Sequence, residues 1–164
     1  MRGFIKNRDG ATAVEFAILI FPFLLLVFII VESSIAFAAQ QLLTNATDDV
    51  ARLFRTGQEQ RATLNETKLH KMICDRISML MTGDCPGLAV DLRQFDSFED
   101  AAKASQGFNP DGSFDTRLDL GPALSKNMIR VYYRWPVITN ILADQLPDGK
   151  MLLFSTSTWQ NEPF

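Results

Sequence analysis

The chain has 164 residues, room for one membrane segment and at most one folded domain of ordinary size. Its 16 basic and 19 acidic side chains give a net charge of −3, and no Lys/Arg cluster supplies the footprint that a nucleic acid needs. One histidine, no Gly-x-Ser-x-Gly elbow and no phosphate-cradling loop leave an active site little to work with, so no catalytic residue, cofactor or metal is expected.

Arg2, Lys6 and Arg8 come first, followed by a run from Phe16 to Val31 without one polar side chain. The next charges after Glu32 are Asp48 and Asp49. Basic flanks stay on the cytoplasmic side of a membrane, so the N-terminus is expected inside and the bulk of the chain outside. In a bacterium that is the periplasm or cell surface, where disulfides persist.

At about 1.5 Å per residue, a helix from Ala11 to Glu32 spans about 32 Å, close to the ~30 Å hydrocarbon core of a bilayer. Glu32 therefore falls at the outer interface and needs no further explanation. Glu15 lies just inside the inner boundary, and a charge in a membrane helix is costly, up to about 2.5–3.5 kcal/mol at the helix centre even on the lenient insertion scale. It is either a snorkelling side chain of no consequence or a functional one. Pro22 predicts a kink, and Ala13 with Ala17 makes a small-xxx-small pair suited to close helix approach.

Two processing readings compete. Ala36-Phe37-Ala38 fits the A-x-A pattern of a secretory signal peptide. Against it stand Glu15 at the head of the run, the length of that run, and Glu32-Ser33-Ser34 ahead of the site. The other reading rests on Gly10-Ala11-Thr12-Ala13-Val14-Glu15-Phe16. This stretch resembles the processing motif of the Flp/Tad-pilus branch of type IV pilin-like proteins, and with its basic leader and its length the chain resembles the TadE-like pseudopilins. The resemblance implies that a prepilin peptidase cuts between Gly10 and Ala11, leaving Glu15 and Phe16 at the fifth and sixth mature positions. It also implies a pilin-like body: an anchor stalk whose outer half packs on a globular head. Removing residues 1–10 takes away Arg2, Lys6, Arg8 and Asp9, which moves the net charge from −3 to −5.

Cutting before Ala11 would create an ammonium group at a helix start. Ala11 and Glu15 are four apart and share a helical face, so Glu15 could pair with its own amine or with that of a neighbouring subunit. Either pairing offsets the cost of placing lone charges in low dielectric.

Beyond the membrane segment, Ala39, Leu42, Leu43, Ala46, Val50, Leu53 and Phe54 recur at three- and four-residue steps. One helix is therefore expected from about Thr12 to Thr56, with Gly57 ending it. Thr63-Leu64-Asn65-Glu66 reads as a capping box that starts a second helix near Leu64. Its stripe is Leu69, Met72, Ile73, Ile77, Leu80 and Met81, closed by Gly83. Cys74 lies on that helix and Cys85 just beyond it; in an oxidising compartment a Cys74–Cys85 disulfide is the natural pairing, the alternative being free or metal-binding thiols. His70 as a zinc ligand lacks the three or four partners that zinc requires.

Leu88–Arg93 alternates as a short half-buried strand, and Ser97 opens a brief helix through Ala104. Residues 105–127 are rich in turn signals. Asp111, Asp115 and Asp119 suggest calcium, but an EF-hand aligned on Gly112 would put Gly107 and Leu118 at positions one and twelve, where neither supplies a carboxylate; a solvated loop fits better. Met128–Trp135 is the strongest strand, with Ile129, Val131, Tyr133 and Trp135 on one face and Arg130, Tyr132 and Arg134 on the other. Tyr132 and Tyr133 read as strand residues of core and surface, not as a binding platform. Ile138, Ile141 and Leu142 suggest a short helix or packed loop, Pro147-Asp148-Gly149 a turn, and Met151–Trp159 a second strand pairing antiparallel with the first. The ending Asn161-Glu162-Pro163-Phe164 also resembles TadE-like C-termini.

The expected fold class is α+β: a long N-terminal transmembrane and amphipathic helix carrying a small head with a short antiparallel sheet. The expected divisions are a leader over 1–10, a transmembrane helix over 11–39, its amphipathic extension over 40–57, and a periplasmic head over 58–164. The expected role is a minor pilin (pseudopilin) for assembly of a Tad/Flp-type pilus in adhesion, held in the bacterial inner membrane. Its partners would be membrane lipid, the prepilin peptidase, other Tad pilus subunits and assembly-platform proteins. The competing role is a signal-anchored or secreted periplasmic binding domain or enzyme.

Overall fold

The computed structural model describes residues 9–81, 83–104, 107–139, 143–144 and 146–163, with side chains at all of these except 9–11 and 147. Leader residues 1–8, Ile141, Leu142 and Phe164 lie outside the described residues. The fold is α+β: one long helix, α1 (Asp9–Arg55), and a head with two shorter helices, α2 (Glu66–Ile77) and α3 (Phe98–Lys103). Its three strands are β1 (Leu88–Phe95), β2 (Lys126–Pro136) and β3 (Lys150–Gln160), antiparallel in the order β1-β2-β3.

α1 is one helix with two surroundings. From Thr12 to Ile35 no side chain is buried. From Ala36 onward, Ala36, Ala39, Leu43, Ala46, Val50 and Phe54 turn into the core at three- and four-residue steps, the spacing that keeps one helical face against a partner. The helix continues through Pro22. It stops where Gly57 takes the left-handed conformation (φ 71°) that glycine adopts without a Cβ penalty. The chain end supports that terminus as well: Glu162 N–H donates to the Arg55 carbonyl at 2.9 Å.

The second helix starts later than the capping box predicts. Thr63 closes a short 3-10 turn, its hydroxyl donating to the Gln60 carbonyl. Asn65 takes the N-cap, accepting from Lys68 N–H at 2.7 Å, because Asn and Thr compete for one cap and Asn is the stronger. The end is early too: α2 stops at Ile77, and Leu80 lies exposed while Met81 is buried. Ser97 caps α3 as expected, accepting from Asp100 N–H.

The sheet packs one face on α1 and α2 and covers the other with α3 and the 107–117 loop. Ile129, Val131, Tyr133, Leu153 and Trp159 belong to the core face, where Trp159 stacks on Phe54 at 6.3 Å between centroids. The opposite face is not the solvated one that alternation implies. Arg130 and Tyr132 are buried, and Tyr132 sits in a cluster with Phe108, Phe114 and Phe154. Both tyrosines are therefore interior.

Each outer strand has the edge-facing backbone groups of one residue engaged, which hinders pairing with another chain at that point. On β1, Leu92 exchanges backbone hydrogen bonds with Arg117 and Asp119. On β3, the side-chain amide of Gln40 imitates a neighbouring strand: it donates to the Phe154 carbonyl at 2.8 Å and accepts from Phe154 N–H at 3.2 Å.

A disulfide joins Cys74 to Cys85 with 5.8 Å between α-carbons, tying α2 to the start of β1. Both cysteines are buried. Replacing both by serine is expected to lower stability by about 2–3 kcal/mol, read as a fall of about 10 °C or more in the melting temperature of the detergent-solubilised chain.

Candidate functional site: the start of the long helix

The Gly10–Ala11 bond lies within α1, at the N-terminal end of its described residues. Ala11 and Glu15 are one helical turn apart, about 6 Å along the axis, on the same face. Glu15 and Phe16 are both exposed, Phe16 to 64%. Among the described residues no ion pair involves Glu15. Ala13 and Ala17 share an exposed face one turn apart. The segment 12–35 thus carries the Glu15 carboxylate, a small-residue strip and an apolar surface that the head approaches only in its outer part, around Glu32. It is long and apolar enough to cross a membrane.

Glu32 has a task that the sequence reading denied it. Its carboxylate accepts from the backbone N–H of Ile138, from Thr139 N–H at 3.2 Å and from the Thr139 hydroxyl. These bonds tie the loop that follows β2 to the side of α1. No local pattern announces a partner 106 residues away.

The other polar groups singled out by sequence serve the head. Asp91, expected on the solvated side of a half-buried strand, is 1% exposed. It accepts from Arg93 Nε and from Arg117 N–H, both at 2.8 Å. Burial alone would lower the affinity of Arg93 for its proton, but the hydrogen bonds and charges of Asp91 and Asp115 outweigh it and raise the guanidinium pKa above its ordinary value. The three loop aspartates are dispersed over separate tasks. Asp111 accepts from the hydroxyl and backbone N–H of Ser113, which lowers its pKa; Asp115 faces Arg93, and Asp119 faces Arg61. His70 borders a cleft of about 230 Å³ with Glu66, Leu88 and Arg117. Among the described residues no three His, Cys, Asp or Glu side chains converge on a metal-sized site.

Asn161 is a structural residue that sequence reasoning missed except as part of a familiar ending. It is 2% exposed, accepts from Trp159 Nε1 at 2.8 Å, and donates to the Gly121 and Pro122 carbonyls at 2.9 Å.

Over residues 10–52 the chain matches the family model described as TadE-like protein. No curated protein and no solved structure matched it. The matched segment begins at Gly10 and ends three residues before the end of α1, so the similarity to TadE-like proteins covers the stalk, and the head lies outside the match.

Proposed function

We propose that this chain, TadE-like over residues 10–52, is a minor pilin (pseudopilin) needed to assemble a Tad/Flp-type pilus for surface attachment. The observation that carries the proposal is that the matched segment falls within α1, carries the Gly10-Ala11…Glu15-Phe16 motif at its head, and leaves Glu15 and Phe16 exposed.

In this reading a prepilin peptidase hydrolyses the Gly10–Ala11 bond and frees the Ala11 amine. Residues 1–10 are the leader, 11–39 the transmembrane helix, 40–57 its amphipathic extension and 58–164 the head. The basic leader holds the N-terminus in the cytoplasm, and the head stands in the periplasm on the inner membrane until the subunit is taken into a pilus. The uncovered carboxylate of Glu15 and the Ala13/Ala17 strip meet the helices of other Tad subunits and of the assembly platform, where the Ala11 ammonium supplies the countercharge. The chain is a substrate and a building block and is not itself a catalyst.

The experiment is co-expression with the prepilin peptidase. Gly10→Leu is expected to leave the chain in the membrane with residues 1–10 attached, and to abolish surface pili in cells that depend on it. Cleavage and piliation at the level of the unaltered chain would overturn the proposal.

A further inference from the structure

Between the loop after β2 and the side of α1 lies an apolar crevice of about 460 Å³, with Leu24, Phe28 and Ile35 on the helix and Trp135 and Ile138 on the head among its walls. Ile138, at its lip, is 88% exposed. It does not stand alone: with Leu24, Phe28 and Ile35 it lines one exposed apolar surface, and a contiguous patch of that kind marks a contact with protein or membrane.

Depth identifies that partner. If the hydrocarbon begins near Ala13, its ~30 Å thickness ends about 20 residues later, at Glu32–Ser33. Glu32 is the residue that holds the loop, through Ile138 N–H and through Thr139 N–H and hydroxyl. The loop therefore stands at the outer hydrocarbon boundary, and the crevice below it faces acyl chains. Irregular backbone at that depth needs its donors satisfied from within the protein. Glu32 meets that requirement for Ile138 and Thr139, and its carboxylate is thereby occupied. Trp135 beside the loop has the amphipathic ring that settles at the headgroup level.

We propose that the loop Val137–Thr139 is a second membrane contact: Ile138 inserts at the outer-leaflet boundary, an acyl chain fills the crevice along Leu24 and Phe28, and Glu32 sets the angle of the head on the bilayer. The proposal rests on the membrane-spanning reading of α1 and extends it to the head, giving the stalk a fixed tilt against the lipid before assembly.

The test uses the full chain in phosphatidylcholine–phosphatidylglycerol vesicles, with an environment-sensitive fluorophore on Ile138→Cys; Cys74 and Cys85 are joined and do not react. Leu24→Cys reports the helix, and Ala62→Cys, exposed in the 3-10 turn beyond the end of α1, is the aqueous control. Nitroxide carried on lipid acyl chains is expected to quench positions 24 and 138 severalfold and leave 62 unaffected. Adding Glu32→Ala is expected to return position 138 toward the unquenched level while position 24 stays quenched. Quenching at 24 without quenching at 138 overturns the loop contact and leaves the anchor standing. No quenching at 24 overturns the membrane-spanning reading, and the contact with it. Protection of position 138 that requires a second pilin subunit and not lipid assigns the crevice to a neighbouring helix and also overturns the proposal.

Discussion

Glu15→Ala is expected to leave membrane insertion intact, or slightly improved, and to reduce incorporation into pili by at least an order of magnitude. Insertion gains slightly because a charge that costs about 2.5–3.5 kcal/mol at the centre of a membrane helix costs less near the boundary, and alanine removes that remainder. Assembly loses because, in the proposed role, the exposed Glu15 is the countercharge to an Ala11 ammonium in the apolar setting where subunits meet. Removing one partner of such a pair leaves the other charge uncompensated, at a cost of about 3–5 kcal/mol. Each 1.4 kcal/mol is about tenfold in an equilibrium, so even a partly hydrated pair leaves a large defect. The measurement is a comparison of membrane and sheared-pilus fractions by immunoblot. Equal incorporation of the alanine variant contradicts the assigned role. Glu15→Asp, which keeps the charge on a shorter arm, is expected to fall between the two.

Asp91→Ala is expected to destabilise the head by about 3 kcal/mol, the lower end of the range for breaking a buried ion pair. Asp91 is 1% exposed and joins two segments: through Arg93 Nε on its own strand, and through Arg117 N–H on the loop that covers the edge of β1. Alanine strands both donors. Arg93 keeps Asp115 as a partner at 3.1 Å, which holds the loss near the lower end. Asp91→Asn retains an acceptor for Arg117 N–H and surrenders the charge, so its cost is expected nearer 1–2 kcal/mol, on the order of one hydrogen bond to a charged group. Urea titration of the detergent-solubilised chain measures both. An Asp91→Ala midpoint equal to that of the unaltered chain would show that the network does not hold the loop.

The parts of this fold that were legible in the sequence are those set by local periodicity. Ala39, Leu43, Ala46, Val50 and Phe54 repeat at helical steps, and the structure buries all five. Gly57 and Ser97 mark helix ends by their own conformational and capping chemistry. The alternation of Met128–Trp135 and Met151–Trp159 gave two strands that pair antiparallel. What remained hidden depends on residues far apart in the chain. Alternation implies one wet face for β1 and β2, but the 107–117 loop and α3 close over that face and bury Asp91, Arg130 and Tyr132. Gln40 reads as an ordinary polar position on a helix until Phe154 arrives 114 residues later. Glu32 likewise reads as an interfacial acid until the loop at Ile138 and Thr139 reaches it. At the N-terminal end the position was reversed: Gly10, Ala11, Glu15 and Phe16 were singled out by a motif, while Glu15 and Phe16 stand exposed, with no side-chain hydrogen bond or ion pair among the described residues from which a role could be read.

The most direct measurement is the N-terminal sequence of the chain isolated from cells that carry its pilus machinery. The proposed role requires the mature chain to begin at Ala11, with a mass lower by residues 1–10. A chain that begins at Met1 is an uncleaved anchor and one that begins at Ala39 a secreted product, and either result contradicts it.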